Sequence, residues 1–297
     1  MTMAMRRYAI LLAALLITGC FHEVHEFRPS EYGDVPVGYI APALQWDQVD
    51  DAGAVIHNLT ISVGGTGATF TKSFASVEAA SSELVQLPVG EYDILVTANM
   101  TEADGFILTG LPPTKADAAM GSVKVSLKNP ASSPSQAWYG VTHASVQQDA
   151  ITLVNPVLHR LLSTLNVDIA NLPAGTAIAM TLSDVAGKVD LTTKDAGGAY
   201  GLPAGEGVGD LALPAGPFNT LPTVSGKDRC KLTLDITPPG GTPLTVECDA
   251  PRIDLGKVCT LNLDFNTLKP YMYISTVTIS PWEDGWTVNG EILNPQN

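Results

Sequence analysis

The sequence predicts an all-β fold of two antiparallel sandwiches, and three observations carry that reading. Short runs alternate apolar and polar residues along most of the chain, the period of a half-buried strand. Turn formers are dense, with Gly 27 and Pro 21 spread between those runs. Only one stretch, Val157 to Ile169, has apolar residues at helical spacing, and its end, Leu165-Asn166-Val167-Asp168-Ile169, already alternates as a strand.

The chain begins with Arg6 and Arg7 followed by an apolar run of ten, Tyr8 to Ile17. A bilayer needs about 20 apolar residues, so the run has the build of a signal peptide. It ends in Leu16-Ile17-Thr18-Gly19-Cys20, which resembles the bacterial lipobox. The expectation is that residues 1–19 are a lipoprotein signal peptide and that Cys20 carries the lipid at the mature N-terminus. Several acyl chains on one residue anchor stably, at ~0.8 kcal/mol per buried CH2. Residue 21 is Phe rather than the Asp of inner-membrane retention, and Glu23 and Glu26 resemble surface-export signals of Bacteroidetes lipoproteins. Residues 20–45 have no period and contain Pro29, Pro36 and Pro42, so they are expected to form a lipidated tether.

The first sandwich is expected over 46–155. His57 to Val63 puts Leu59, Ile61 and Val63 on one face, and Gly64-Gly65-Thr66-Gly67 turns it into Ala68 to Phe74. Glu83 to Leu87 and Tyr92 to Ala98 meet through Pro88-Val89-Gly90. Ser122 to Leu127, Trp138 to Val146 and Ile151 to Val154 complete the set. The second sandwich, 156–297, starts after Asn155-Pro156 with Val157 to Ile169, read as one long strand with a short helix as the lesser option. Thr176 to Leu182 and Val189 to Thr193 follow as separate strands. Residues 195–217, rich in Gly and Ala with two Pro-Ala-Gly turns, read as a long loop. Two strands then flank Thr237-Pro238-Pro239-Gly240-Gly241, and Val258 to Phe265, Ile274 to Ile279 and Trp286 to Leu293 close the chain.

Charge excludes one class of partner. Charged residues make up only 15% of the chain, and 30 acids face 16 bases, a net charge of −14. A nucleic-acid binder needs a basic stripe, and none is visible. Removing residues 1–19 takes Arg6 and Arg7 from the 16 bases, leaving a body of net −16.

Motifs for chemistry are scarce, and neither a catalytic residue nor a cofactor is expected. His22-Glu23-Val24-His25-Glu26 lacks the four-residue histidine spacing of a zinc protease, and Asp47, Asp50, Asp51 and Gly53 lack the spacing of a calcium loop. His143 and His159 read as satisfied structural histidines, and no nucleophile elbow appears. Cys230, Cys248 and Cys259 share parity with core residues. In a hairpin centred on Pro239, Cys230 and Cys248 lie opposite each other, so the pair is either a disulfide or, with Cys259, a set of buried thiols.

Several segments together resemble the fimbrillin superfamily of Bacteroidales, in its fimbrial-anchor branch. They are Leu87-Pro88-Val89-Gly90-Glu91-Tyr92-Asp93-Ile94-Leu95-Val96, His159-Arg160 leading into residues 165–173, and Val277-Thr278-Ile279-Ser280-Pro281-Trp282 with Gly285 and Trp286. The resemblance implies transthyretin-like sandwiches, an outer-membrane or fimbrial location, and fimbrial subunits as partners, with a host or bacterial surface ligand as a further candidate. It also implies shaft subunits cut after an Arg by a surface protease, which frees a groove that a neighbour's strand fills. The only Arg between Cys20 and Arg160 is Arg28, the candidate cut site. A cut there removes residues 21–28 and no identifiable strand, which favours an anchor or accessory subunit over a shaft subunit. Trp286, Val288 and Ile292 share one face and form a candidate donor strand, or else the last strand of their own sandwich. The competing class is a surface glycan-binding lipoprotein, for which Trp138-Tyr139 is the best aromatic platform.

Overall fold

A computed structural model describes residues 31–47, 51, 54–65, 67–113, 118–130, 132–194, 200, 203–213, 217–268, 271–273 and 277–281. The expected functional residues Cys20, Arg28, Trp286, Val288 and Ile292 lie outside this set.

The first half contains β1 (Val37–Pro42), β2 (Gln45–Trp46), β3 (Leu59–Gly65), β4 (Ala68–Phe74), α1 (Val77–Ser81), β5 (Val85–Pro88), β6 (Gly90–Ala98), β7 (Phe106–Thr109), β8 (Lys124–Leu127), β9 (Trp138–Val146) and β10 (Ile151–Val154). The second half contains β11 (Val157–Arg160), β12 (Ser163–Ala170), β13 (Ala177–Asp190), β14 (Ala204–Leu213), β15 (Phe218–Thr220), β16 (Arg229–Thr237), β17 (Leu244–Pro251), β18 (Lys257–Asp264), β19 (Tyr271–Tyr273) and β20 (Val277–Pro281). The all-β expectation is met, with two sandwiches. One pairs a sheet ordered β10-β1-β5 with a sheet ordered β2-β11-β9-β6-β3-β4. The other pairs β15-β12-β18-β20 with β19-β17-β16-β13-β8-β7, to which β14 adds along β13. Most neighbours are antiparallel, but β1–β10, β2–β11, β12–β18 and β17–β19 are parallel.

Alternation accounts for the strands. In β16 the even residues Cys230, Leu232, Leu234 and Ile236 are fully buried while the odd ones face out. The segment around Leu87 to Val96 owes its shape to Tyr92, whose buried ring lies in the core and whose hydroxyl donates to the Pro88 carbonyl at 2.9 Å. One core, with Ile40, Ile61, Leu87 and Tyr92, fills the first sandwich, and another, with Leu182, Leu232, Val246 and Leu261, fills the second. A third, with Leu95, Phe106, Val125, Leu161, Leu162 and Val189, joins them.

Several expectations change. The tether expected over 20–45 ends early, because 37–42 form β1 and β2 begins at Gln45. The expected division at 155 is crossed by strand pairing: β7 and β8 form a hairpin whose β8 pairs with β13, Val125 opposite Val189. Val157 to Ile169 is extended, as expected, but breaks at Leu161 and Leu162, both buried in the joining core. Val189 is not in a separate strand. β13 runs through 14 residues, with a bulge between Leu182 and Val185 where Asp184 takes φ +63°. The loop expected over 195–217 contains β14, paired with β13 from Leu213 to Ala204. Its Gly content hid the strand. Gly205 is needed there because a Cβ would stand 2.8 Å from the Ala186 Cβ.

Of the two readings open for Cys230 and Cys248, a disulfide or buried thiols, the structure has the second. The connecting turn runs Pro238 to Gly241, with Gly241 N–H donating to the Pro238 carbonyl and Gly240 at φ +66°. Thr242 and Pro243 lengthen the return, which moves the hairpin centre from Pro239 to Gly240. Cys230 therefore faces Ala250, and Cys248 faces Leu232. Cys230, Cys248 and Cys259 are free, buried thiols. Burial raises Cys248 and Cys259 to about 12, so both behave as small hydrophobes.

Candidate assembly site

The chain segment 36–47 forms a ribbon that closes the first sandwich. β1 lies between β10 and β5, with Tyr39 opposite Ile151 on one side and Gln86 on the other. Its backbone is bonded on both edges: Tyr39 N–H donates to the Ala150 carbonyl at 2.9 Å, and Val89 N–H donates to the Pro36 carbonyl at 2.9 Å. Ile40 and Ala41 enter the core. Gly38 lets the ribbon press against Gln147, whose carbonyl oxygen leaves no room for a Cβ. The ribbon then passes from one sheet to the other. Ala43 N–H donates to the Val154 carbonyl at 2.8 Å, Gln45 N–H to Pro156 at 3.1 Å and Asp47 N–H to Leu158 at 3.0 Å. From Tyr39 to Asp47 it thus runs parallel to 150–158, filling a cleft the rest of the sandwich leaves open.

Two acid–base pairs clamp the ribbon's far end to the junction between the sandwiches. His159 Nδ1 lies 3.0 Å from Asp47 Oδ2. Arg160 donates from Nε at 2.7 Å and from Nη2 at 2.6 Å to Asp51 Oδ1. Asp51 is 1% exposed and Arg160 6%, so this pair is inside the protein. Trp46 packs edge-on against Trp138, ring centroids 6.0 Å apart. Tyr139 lies beside His159, and burial, with the Asp47 charge adding, raises its phenol.

Beneath the clamp is a junction cavity of about 370 Å³, lined by Asp47, His159 and Arg160 from the first side and Arg252, Asp254 and Lys257 from the second. Arg252 Nε donates to Asp254 Oδ1 at 2.9 Å. A second link crosses the junction on the outer face of β6. There Asp93 accepts from Lys194 Nζ at 2.8 Å and bonds His143 Nδ1 at 2.9 Å, while His143 Nε2 bonds Glu91 at 2.8 Å.

The sequence singled out several of these residues without their partners. His143 and His159 are satisfied, as expected, and the loose aspartate cluster divides into Asp47 and Asp51, one on each side of the clamp. Among the described residues no group of His, Cys, Asp or Glu is placed to hold a metal. Trp138 and Tyr139 are 6% and 4% exposed, so the proposed glycan platform is interior. The ribbon itself was missed. A strand in which Gly38, Ile40, Ala41 and Pro42 are all buried shows no clean alternation, and Pro36 and Pro42 at its ends resemble tether residues.

Two sandwiches joined by a shared core and closed by an N-terminal ribbon define a tandem-sandwich protein. A solved structure from Bacteroides thetaiotaomicron, described as a candidate polysaccharide-binding protein, is similar at TM-score 0.56 and 13% identity, covering 84% of this chain and 98% of that one. A candidate adhesin from the same organism is similar at TM-score 0.52 and 11% identity, covering 86% and 98%. The fimbrial anchor protein Mfa2 from Porphyromonas gingivalis is similar at TM-score 0.49 and 14% identity, covering 82% and 98%. No significant relative was found among curated proteins. The family model of fimbrillin-A associated anchor proteins Mfa1 and Mfa2 matches residues 60–288, and the chain belongs to that family. Its role is therefore fimbria-associated, at the cell surface and with fimbrial subunits as partners.

Proposed function

We propose that the protein is a lipid-anchored outer-membrane subunit, an anchor or accessory component of a fimbrium, that keeps its N-terminal ribbon and joins its partner by strand complementation. One observation carries the reading. Arg28 precedes β1, and the next Arg in the chain, Arg160, is 6% exposed and paired with Asp51. An Arg-specific protease acting at Arg28 would release residues 21–28 and leave 37–47 in the cleft. The groove that a neighbour's strand would fill therefore stays occupied by the chain's own residues. The same cut would detach the body from Cys20, so a permanent anchor must escape it.

With its own cleft filled, the protein has its C-terminal segment left to offer. Trp286, Val288 and Ile292, alternating on one face, suit a strand given to a partner sheet, where backbone bonds supply affinity and the alternate side chains fill pockets. Crosslinking followed by pulldown from native outer membranes is expected to recover fimbrial subunits; recovery of none would remove the anchor reading. Cys20→Ser is expected to abolish acyl labelling, and persistent labelling would refute the lipid site.

A further inference from the structure

The junction cavity gathers positive charge in an acidic chain. Against 30 acids and 16 bases overall, its lining holds His159, Arg160, Arg252 and Lys257 but only Asp47 and Asp254 as acids. Three of these bases are paired, His159 with Asp47, Arg160 with Asp51 and Arg252 with Asp254. The Lys257 ammonium has no hydrogen-bond or ion-pair partner among the described residues. Arg252 keeps a donor in reserve: Nε donates to Asp254 at 2.9 Å and Nη1 to the Lys227 carbonyl at 2.7 Å, which leaves Nη2.

A second polar group waits deeper in the same cavity. Tyr139 is 4% exposed and lines it, yet its hydroxyl has no hydrogen-bond partner among the described residues. An interior hydroxyl without a partner is costly, so one placed in a cavity wall points to a polar occupant. Burial, with the Asp47 charge adding, raises the phenol, which therefore stays a donor at neutral pH. The Ser225 hydroxyl, exposed and equally without a partner among the described residues, adds a further polar group. Between these groups the walls are apolar, from Pro203, Pro222 and Leu255. A volume of about 370 Å³ with mostly apolar walls and a few convergent polar groups is the build of a small-molecule site.

We propose that the junction cavity binds a hydroxylated monocarboxylate of about the size of a hexuronic acid. The one unpaired ammonium, on Lys257, calls for one negative charge, and Arg252 Nη2 supplies a second donor to the same carboxylate. Asp47 and Asp254 line the cavity as well, so a second charge on the ligand, as on a phosphate dianion, would be repelled. The same side chains accept from ligand hydroxyls: Asp254 meets Arg252 through Oδ1, and its Oδ2 has no partner among the described residues. A plain fatty acid would leave Asp254, Ser225 and Tyr139 unbonded, whereas a hydroxylated ring bonds them and lays its C–H face on the prolines and Leu255. Asp47 and His159 come from the first sandwich and Arg252 and Lys257 from the second, so the occupant bridges the two. The proposal rests on the cavity and does not need the fimbrial reading.

The test titrates the full chain in detergent with D-glucuronate and, separately, D-galacturonate, followed by calorimetry and by the rise in melting midpoint. Saturable binding of at least one is expected, with D-glucose and inorganic phosphate weaker by about tenfold. Lys257→Met is expected to weaken the bound hexuronate about tenfold, while Lys257→Arg, which keeps the charge, retains most of the affinity. Tyr139→Phe keeps its ring in the joining core and is expected to weaken binding about fivefold. The absence of saturable binding by both hexuronates would overturn the proposal. Glucose or phosphate binding as tightly would do the same, as would an unchanged affinity in Lys257→Met. The titration needs only this chain and the sugar acid, so its failure is separable from a failed pulldown of fimbrial subunits.

Discussion

The two sandwiches are closed by different means. The first is completed by a ribbon, 36–47, that comes before the rest of the sandwich in the chain. The second is extended by the β7–β8 hairpin lent from the first half and attached at both ends. Loss of an end segment opens a cleft without breaking any loop, whereas the hairpin is bound into the chain twice. The first sandwich is therefore the one whose closure can be altered by processing near the N-terminus, and here the candidate cut lies upstream of the closing strand. The second is bound to the first through the shared core of Phe106, Val125, Leu161 and Val189, so neither sandwich is an independent unit.

The largest effect tests this asymmetry directly. Deleting 31–46 removes β1 and β2, the buried Ile40 and a row of backbone bonds on both edges. Loss of the cooperative melting transition is expected, followed by circular dichroism. Partial recovery on adding the missing segment as a peptide would confirm a fillable cleft. An unchanged melt would break the comparison, since the ribbon would then close nothing.

Next comes the clamp. Arg160→Ala leaves Asp51 buried without its partner, a change expected to cost about 3–5 kcal/mol in denaturant unfolding. Replacing both members with apolar residues of similar volume should recover much of that loss. If Arg160→Ala is nearly neutral, the ribbon is held by its backbone pairing alone.

The second sandwich offers a smaller effect, from Cys248. Cys248→Ser replaces a thiol that points at the Leu232 carbonyl from inside the apolar core with a shorter, more polar hydroxyl, and is expected to cost about 1–3 kcal/mol. Thiol reagents should leave native Cys248 and Cys259 unmodified at pH 8, because burial raises both to about 12. Reductant should leave melting unchanged. A drop on reduction would mean that Cys230 and Cys248 are joined after all and that the hairpin register is displaced.

These contrasts also separate what the sequence made legible from what it did not. β9 and β10 were read to their end residues because alternation and turn residues agree there. β14 was hidden by its Gly residues and β1 by its burial, since both lack the pattern that marks a half-exposed strand. The hairpin register depended on two residues, Thr242 and Pro243, that composition treats as interchangeable turn material. The clamp was illegible for another reason. Asp51 and Arg160 stand 109 positions apart, and nothing local in either neighbourhood names the other.

The smallest expected effect concerns the link outside the shared core, where Asp93 of β6 meets Lys194 beyond β13. The hydrogen bond with Asp93 raises the His143 imidazole above 6.5 against partial burial, and the bond with Glu91 adds to it. Protonated His143 therefore stabilises the fold fully below pH 6.5, and that contribution fades as pH rises through the raised value. Asp93 works in the opposite direction. Burial pushes its carboxyl up, the bonds from Lys194 and His143 outweigh this, and it settles below 3.8. Its contribution is present above 3.8 and is lost only as pH falls through the lowered value. The link is thus strongest in mildly acidic solution and weakens as pH rises through the raised His143 value, while Lys194 still holds Asp93. Thermal melts from about pH 6 to about pH 8 should show a small fall in midpoint that His143→Gln removes and Lys194→Met leaves in place. A fall that persists in His143→Gln would place the titrating group elsewhere. A fall lost in Lys194→Met as well would show that His143 acts only through the link between the sandwiches, and not within the first one alone.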